Sequence, residues 1–513
     1  MPDRPPLSPV VGPVGVGADD GAGMASERRK HPRRCSAVHD GLLVAAMTGL
    51  LAAGPVTCSL AVLGVGVALD DLTLSIALAA GIMVWSAARF FLQSRLPGRP
   101  LSLDDEPDLA VLIGQVAVQV DVQVPFAVRI VPTPEAALYP AVRRGQPSTL
   151  VLGWPLLRTL TAAQLTSVVA HEIAHHRPFT NRRDLALIAV RGAVVGLLDS
   201  RFPRRATALA LLRATQPRRW ELETAADAHA AHVAGTAATR AALTQVAVTA
   251  SVFYHFGEHW ARALAAREQF PADLYDALHT AMADPHVVRQ ALAALGERGA
   301  ADPWPAADHP PLRSRIAALP DVPTPPGPRT RIVAGRPVPI HQHGSLNRWA
   351  AREVLTTRAA RHAPHPAHVL DCPPELFDTP FQAAQAELMA LTGRATPADA
   401  IAVALDRLTS DRTIAMAGGR RWPGRTPDPA GSVTASMPWT VPSRSALTDP
   451  LSAVISKALL DAGWSRASRW TSTVVTCPQG RTIDIRELIE QAVATGDTAA
   501  VRALHTRGAA TAL

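Results

Sequence analysis

The sequence predicts a mainly α-helical protein with a small β-sheet, a hydrophobic helical hairpin near the amino terminus and an α+β region at the carboxyl terminus. Three observations favour this class. Two uncharged apolar segments lie before residue 90, apolar residues elsewhere recur mainly with helical spacing, and the few strand-like segments are short and lie between turn residues. The chain has 513 residues, 48% of them hydrophobic, which is enough for about two to four domains.

The excess of basic residues does not indicate a nucleic-acid partner. The formal net charge is +8, but Lys30 and Lys457 are the only lysines, so nearly all of the positive charge is arginine. No aromatic-plus-basic recognition motif accompanies it. The four cysteines lie far apart without Cys-x-x-Cys spacing, which argues against a disulfide framework and against a cysteine metal site. These cysteines are Cys35, Cys58, Cys372 and Cys477.

Two uncharged segments predict a transmembrane hairpin over residues 41–93. The first extends from Gly41 to Leu69 and the second from Leu72 to Ala88. Because about 20 apolar residues cross a hydrocarbon core, both segments are long enough or nearly so. The alternative for the first segment is a cleaved signal peptide, which the long preceding tail and the second segment disfavour.

The charges around the hairpin predict its orientation in a cell membrane. Residues 1–40, a Pro- and Gly-rich tail predicted to be disordered, end in a basic cluster, and Arg89 follows the second segment. Asp70 and Asp71 occupy the short loop between the two segments. By the positive-inside tendency, both outer ends and the rest of the chain are predicted to be cytoplasmic.

His171, Glu172 and His175 form a His-Glu-x-x-His motif. On a helix the two histidines lie one turn apart on the same face and can bind one metal ion. Glu172 would then lie beside the metal, placed to take a proton from the attacking water. Thr161 and Gln164 have capping-box spacing at the start of this predicted helix. The alternative is a chance match on a solvated helix face, since the chain has 18 histidines.

A catalytic zinc ion usually has three protein ligands, so the motif lacks one. Glu223 and Asp227 are four residues apart on a predicted alanine-rich helix and share a face. One carboxylate could bind the metal while the other hydrogen-bonds a ligand histidine. A solvated charged face is the alternative for this segment. Three further residues of the same segment stay open as ligands, namely Glu221, His229 and His232.

The segments before the motif predict a small sheet. Leu109–Val120 has a helical pattern, and Phe126–Val131 and Ser148–Trp154 are strand candidates. In zinc peptidases an edge strand next to the metal helix pairs with the substrate backbone, and Ser148–Trp154 has the position of such a strand. The alternative is that this strand lies in the core.

Three motifs in this order resemble the HtpX-type membrane zinc endopeptidases, a family that includes the CAAX prenyl proteases. The motifs are Val-Val-Ala-His171-Glu172-Ile-Ala-His175, Glu223-Thr-Ala-Ala-Asp227 and Asp308-His309-Pro-Pro-Leu-Arg313-Ser-Arg315-Ile. The resemblance covers roughly residues 40–320 and implies a zincin-like α+β metallopeptidase domain over residues 100–320.

The resemblance also implies the roles of individual residues. His171, His175 and Glu223 would hold one Zn²⁺ per chain, Glu172 would be the general base, and Asp227 would support a ligand. In the third motif, His309 or Arg315 could stabilise the transition state. The alternative is that the third motif only packs the end of the domain.

The chain departs from this family between the metal helix and the third ligand, where many relatives have further membrane spans. The corresponding apolar segment, Leu185–Leu198, is short and carries Arg191 in its middle. A charge at that position favours a buried or membrane-surface helix over a span.

The part of the chain beyond the three motifs predicts no catalytic site. Residues 321–345 are predicted to form a Pro-rich linker. Residues 346–513 form a C-terminal region of helical patterns, a Gly/Pro/Ser-rich stretch from Gly418 to Ser445, and a closing unit with strands near Arg469–Thr476. A binding or regulatory module is our hypothesis for this region.

These features together predict a membrane-anchored, zinc-dependent endopeptidase that acts on membrane or misfolded proteins at the cytoplasmic side. One alternative is a sensor-transducer similar to the BlaR group, in which the same chemistry cleaves a regulator. The loop at Asp70 is too short to form the extracellular sensing domain that this alternative needs. A non-catalytic membrane scaffold is the other alternative.

Overall fold

A computed structural model describes most of the chain. The described residues are 37–92, 96–122, 126–141, 146–176, 181–199, 204–254, 258–298, 307–323, 334–354, 365–377, 381–410 and 447–511. The predictions for most of the amino-terminal tail, for part of the Pro-rich linker and for the stretch from Gly418 to Ser445 lie outside these residues.

The predicted class, mainly α with small β-sheets, is confirmed. The helices are α1 (Ala37–Ala68), α2 (Leu72–Leu92), α3 (Pro107–Gln119), α4 (Trp154–Thr159), α5 (Ala162–Ala174), α6 (Arg182–Val195), α7 (Arg204–Ala234), α8 (Thr236–Val252), α9 (Glu258–Ala265), α10 (Leu274–Met282), α11 (Pro285–Arg298), α12 (Leu312–Ala317), α13 (His343–Glu353), α14 (Phe381–Thr392), α15 (Pro397–Ser410), α16 (Thr448–Asp461), α17 (Ile485–Thr495) and α18 (Ala499–Thr511). The strands are β1 (Arg99–Leu101), β2 (Phe126–Val131), β3 (Ala136–Tyr139), β4 (Ser148–Gly153), β5 (Gln269–Pro271), β6 (His365–Ala367), β7 (Ser465–Ser468), β8 (Thr471–Thr476) and β9 (Thr482–Asp484).

Helices α1 and α2 pack against each other through small residues. The Ser59 hydroxyl donates to the carbonyl of Ala79 over 3.2 Å. A Cβ atom at Gly66 would lie 1.9 Å from Ser75 Oγ, so only glycine allows this approach. Within the described residues, α1 is the one helix long and apolar enough to cross a membrane, and the apolar part of α2, Leu72–Ser86, is shorter.

A four-stranded sheet has the order β1-β2-β4-β3. Strand β4 pairs in parallel with β2 and antiparallel with β3, and all six of its residues are buried. The predicted strand Ser148–Trp154 is therefore a core strand that ends at Gly153, and the interpretation of it as an edge strand is wrong. Its outer neighbour β3 is the edge strand of this sheet, and β3 contacts α5.

The main hydrophobic core lies between this sheet and the helices that follow it. Buried side chains of α3, β2, β4, α5, α7 and α8 all contribute to it. The same core also includes Leu346, Val369 and Trp470, so it crosses the predicted boundary at residue 345. Trp470 lies against Trp260, with ring centroids 5.0 Å apart.

Two smaller clusters accompany the main core. One contains buried residues from each of the helices α14, α15, α16, α17 and α18 and from β8, with Leu451 and Ile489 completely buried. The other joins α1 to α6 and α7, because Met47 packs with Val194 and Leu212. The apolar segment Leu185–Leu198 is thus a helix packed against protein on at least one face, as the charge of Arg191 predicts.

The helix that bears the His-Glu-x-x-His motif begins with the predicted capping box. The Thr161 hydroxyl accepts from the backbone N–H of Gln164, and the Gln164 side chain accepts from the backbone N–H of Thr161. These two bonds satisfy donors that the first turn of a helix otherwise leaves unpaired. Leu165, Val169 and Ile173 then anchor the buried face of α5 in the core.

We expect Thr161→Ala to lower the free energy of unfolding by about 1 kcal/mol, because the substitution removes the capping hydroxyl. Thr161→Ser keeps the hydroxyl and serves as the control. Thermal unfolding of the three proteins in the same detergent measures the effect. Equal stability of the Ala and Ser variants would contradict the role given to this cap.

Candidate metal centre

His171 lies on the buried face of α5, His175 is the buried residue that caps the end of this helix, and their Nε2 atoms are 3.2 Å apart. Burial lowers the pKa of His175 to about 3, so its imidazole is neutral near pH 7. The neutral ring is the form that binds a metal ion. His175 can therefore offer a nitrogen ligand to an ion, and the His171 ring can offer a second one once a cation takes the place of its proton.

Helix α7 brings Glu223 to the histidine pair. Its side chain is fully buried, with Oε2 3.3 Å from His171 Nε2 and Oε1 3.4 Å from His175 Nε2. The close packing of α5 on α7 depends on small buried residues, among them Ala226 and Ala230. Small side chains at a helix–helix contact shorten the distance between the two helix axes, and this lets α7 come close to α5.

The spacing of the three donor groups matches that of ligands around a small tetrahedral ion. Two atoms that each lie about 2.05 Å from such an ion are about 3.3 Å apart. The two Nε2 atoms of His171 and His175 are 3.2 Å apart, and each lies near a different oxygen of Glu223, His171 at 3.3 Å from Oε2 and His175 at 3.4 Å from Oε1. These three residues can therefore hold one divalent metal ion between them.

Asp227 lies one turn beyond Glu223 and contacts the other side of the first histidine. Its Oδ1 is 2.9 Å from His171 Nδ1. Arg315 donates to both carboxylate oxygens of Asp227, over 2.8 and 2.7 Å. Although burial opposes ionisation, the bonds to Arg315 and His171 hold the pKa of Asp227 below its usual value. Asp227 thus orients the ring so that Nε2 points towards Glu223.

The carboxylates favour a positive charge between the imidazoles. Burial alone would lower the pKa of His171, but its contacts with Asp227 and Glu223 raise that pKa to about 9. A divalent cation at this position would satisfy the same carboxylates.

Glu172 lies next to this cluster and is also buried. Burial raises the pKa of its carboxyl group above the ordinary value, and His171 partly opposes that shift. Among the described residues none hydrogen-bonds its carboxylate. A carboxyl group with a raised pKa and free oxygens is suited to accept and return a proton near neutral pH.

His309 reaches the same carboxylate from the segment before α12. Its Nδ1 is 2.5 Å from Glu223 Oε2, and its side chain is half exposed. The donor atoms of His171, Glu223 and His309 lie within 4.8 Å of one another, so these residues form a possible metal-binding group. The structure gives Arg315, the other residue considered for transition-state stabilisation, a bidentate contact with Asp227 instead.

The sequence did not single out Arg219 as a site residue. Arg219 Nη2 is 2.7 Å from Glu223 Oε1, and its Nε is 3.8 Å from Asp308 Oδ1. Arg191, from α6, contacts the same Asp308 oxygen over 3.3 Å and donates to the carbonyl of Leu212 and to Thr215. The i, i+4 spacing of Arg219 and Glu223 on one helix is the signal that could have identified the first contact.

The remaining candidate ligands lie elsewhere on α7. Glu221 pairs with Arg218 over 3.0 Å, and His232 Nδ1 lies 2.6 Å from the backbone oxygen of Ala228. His229 lies outside the group formed by His171, Glu223 and His309, as His175 also does, but His175 contacts Glu223 and His171 directly.

Comparisons of the chain with protein-family models, with curated proteins and with solved structures gave no match. The assignment of the centre therefore depends on its own geometry and on the motifs in the sequence.

We expect Arg219→Met to weaken Zn²⁺ binding about 10- to 100-fold, because a group that holds the Glu223 carboxylate in its orientation is lost. Arg218→Met is the matched control, since Arg218 lies beside it on α7 but pairs with Glu221 and Asp184. Competition with a fluorescent zinc chelator measures both affinities. An Arg219→Met affinity equal to that of the control would show that Arg219 does not support Glu223.

Proposed function

We propose that the chain is a membrane-anchored, zinc-dependent endopeptidase of the HtpX type. One observation carries the proposal. The imidazoles of His171 on α5 and of His175 at the end of that helix are 3.2 Å apart, and each lies 3.3 or 3.4 Å from one oxygen of the fully buried Glu223 carboxylate on α7. A solvated histidine pair would not be buried against a carboxylate that also lacks exposed surface.

The donor set favours zinc among the divalent ions. His171, His175 and Glu223 offer two nitrogens and one oxygen, the ligand set of many catalytic zinc sites. Calcium and magnesium prefer all-oxygen sites, and no thiolate is involved. Zinc held by these residues would polarise the scissile carbonyl and lower the pKa of the attacking water.

The protein side chains then supply proton transfer and orientation. The Glu172 carboxylate takes a proton from the attacking water and later delivers it to the leaving amine. Asp227, held by Arg315, keeps the His171 ring in place. His309 is half exposed beside Glu223, so it can reach a bound substrate as a hydrogen-bond donor.

Strand β3 is the part of the sheet best placed to hold a polypeptide substrate. It is an outer strand, it contacts α5, and Tyr139 at its end is close enough to Glu172 for that carboxylate to help raise its pKa. An extended peptide that adds to an outer strand is held by main-chain hydrogen bonds. The substrates we propose are segments of membrane or misfolded proteins.

The amino-terminal helices are the proposed membrane anchor. Large apolar side chains of α1, α2 and the loop between them are exposed, among them Leu60, Leu69 and Trp85. Exposed apolar surface of this extent is typical of contact with lipid. With basic residues before α1 and after α2, the metal centre would face the cytoplasm.

We expect Glu172→Gln to abolish peptide cleavage and to leave the zinc content near one per chain, because the amide keeps the shape but cannot accept the proton. Glu221→Gln is the control, since Glu221 pairs with Arg218 away from the centre. Casein cleavage and metal analysis on the purified proteins measure both properties. Full activity of Glu172→Gln would disprove the assignment of the base. If wild type and variant both bound zinc without cleaving any polypeptide, the scaffold alternative would hold.

We expect His175→Ala to lose most of its zinc together with its activity, because one of three ligands is removed. His176→Ala removes the adjacent imidazole and should keep both properties. Metal analysis after dialysis distinguishes the two variants. Retention of stoichiometric zinc by His175→Ala would rule out the proposed ligand set.

A further inference from the structure

The packing of α1 divides this helix into two parts at Gly54. Before Gly54, Met47 is fully buried, and Leu50 and Leu51 pack in the cluster that α1 shares with α6 and α7. One face of this part of the helix is therefore held against the body of the protein, whereas Val38 and Leu42 near its start are exposed.

Beyond Gly54, the two helices of the hairpin expose most of their large apolar side chains. Twelve of the eighteen exposed large hydrophobic residues of the described chain lie between residues 56 and 85. They are Val56, Leu60, Val65, Val67, Leu69, Leu72, Leu74, Ile76, Leu78, Met83, Val84 and Trp85. This part of the hairpin has the surface of a lipid-embedded unit.

The two arms of this unit have the same length. Ser59 contacts Ala79, and Gly66 lies against Ser75. The two helices are therefore antiparallel, and a residue a given number of positions before the loop on α1 pairs with one about the same number of positions after it on α2. Gly54 therefore lies level with residues near Ser86, where the apolar part of α2 ends. Each arm has about 15 residues from this level to the loop, which is about 22 Å of helix.

Arg204 lies at this level, and Arg205 follows it in the chain. A Cβ atom at Gly54 would be 3.0 Å from Arg204 Nη1, so the guanidinium lies directly on the α1 backbone. Arg204 and Arg205 begin α7, and both are exposed. Among the described residues no carboxylate forms an ion pair with either of them. A guanidinium at the edge of an apolar surface favours an anionic oxygen partner, and phosphate suits its geometry.

We propose that Arg204 and Arg205 bind the phosphate groups of anionic phospholipids and set Gly54 as the level at which α1 enters the hydrocarbon. The occupant is a lipid because the apolar surface begins at the same level and continues directly from the arginines. The proposal rests on the membrane attachment contained in the proposed function.

A consequence of this placement is a thinned bilayer around the protein. The embedded arms reach about 22 Å, whereas the hydrocarbon core is about 30 Å thick. Asp70 and Asp71 at the loop must reach a polar layer, because a carboxylate within the hydrocarbon is costly. Local thinning is one accepted response to a short hydrophobic length.

The entry level is tested with single cysteines in a variant whose four native cysteines are replaced by serine. Thr48→Cys lies six residues before Gly54 and Leu60→Cys six residues beyond it, and both positions are exposed. In vesicles, we expect a charged maleimide to label Thr48→Cys and not Leu60→Cys, and to label both after denaturation. Protection of both positions would overturn the entry level, since α1 would then be embedded from its start. Labelling of both would mean that the hairpin is not in lipid, and membrane attachment itself would fail.

The lipid contact is tested with Arg204→Gln/Arg205→Gln. The matched control is Arg394→Gln/Arg481→Gln, which removes the same charge from two exposed positions of the carboxy-terminal region. Binding of fluorescent phosphatidylglycerol, relative to phosphatidylcholine, is measured on detergent-solubilised full-length protein. We expect the first variant to lose roughly tenfold or more of the preference for phosphatidylglycerol, and the control to keep it. An unchanged preference in the first variant would overturn the proposal. Zinc content and casein cleavage in detergent should be the same for both variants, so the result is separate from the test of the peptidase.

Discussion

The buried carboxylate of Glu223 is the group on which the structure of the centre depends. A carboxylate without exposed surface is stable only where positive charge and hydrogen-bond donors compensate for its lost hydration. Although burial opposes ionisation, His309 and Arg219 hold the pKa of Glu223 well below its usual value. Its neighbours come from α5, from α7 itself and from the segment before α12. Correct packing of these parts of the chain is therefore a condition for a charged, ordered Glu223.

The residues that contact Glu223 are themselves held by further charged residues. Arg219 contacts both Glu223 and Asp308, and Arg191 holds Asp308 from α6. Helix α6 in turn packs on α1 through Val194. The candidate metal centre and the proposed membrane anchor are thus joined by a short series of direct contacts. Because Asp308 directly precedes His309 in the chain, these contacts also hold the half-exposed His309 in place beside Glu223.

The parts of the site that follow from local sequence rules could be predicted. Helix α5 and its capping box follow from Thr161, Gln164 and an apolar stripe, and β2 has the predicted bounds Phe126–Val131. The common face of Glu223 and Asp227 follows from helical spacing, and the structure places both carboxylates on His171. These features depend on neighbours a few residues apart, which a single sequence records.

Features that depend on distant partners could not be predicted in this way. A short apolar segment such as β4 can have the same composition in the middle of a sheet and at its edge. Only the pairing of β4 with both β2 and β3 shows that it is an inner strand. The contact of Arg191 with Asp308 joins residues 117 positions apart. The inclusion of Trp470 in the main core likewise requires a tertiary contact with Trp260. The uncharged sequence of α1 from residue 41 onward does not show that the first part of this helix packs on protein.

X-ray absorption spectroscopy at the zinc edge of the zinc-loaded protein tests the central claim most directly. It reports the identity and distance of the ligands without regard to activity. We predict only nitrogen and oxygen donors at about 2.0 to 2.1 Å, with the outer-shell signal of at least two imidazoles. A sulfur donor near about 2.3 Å, or a spectrum with fewer than two imidazoles, would contradict a centre built from His171, His175 and Glu223.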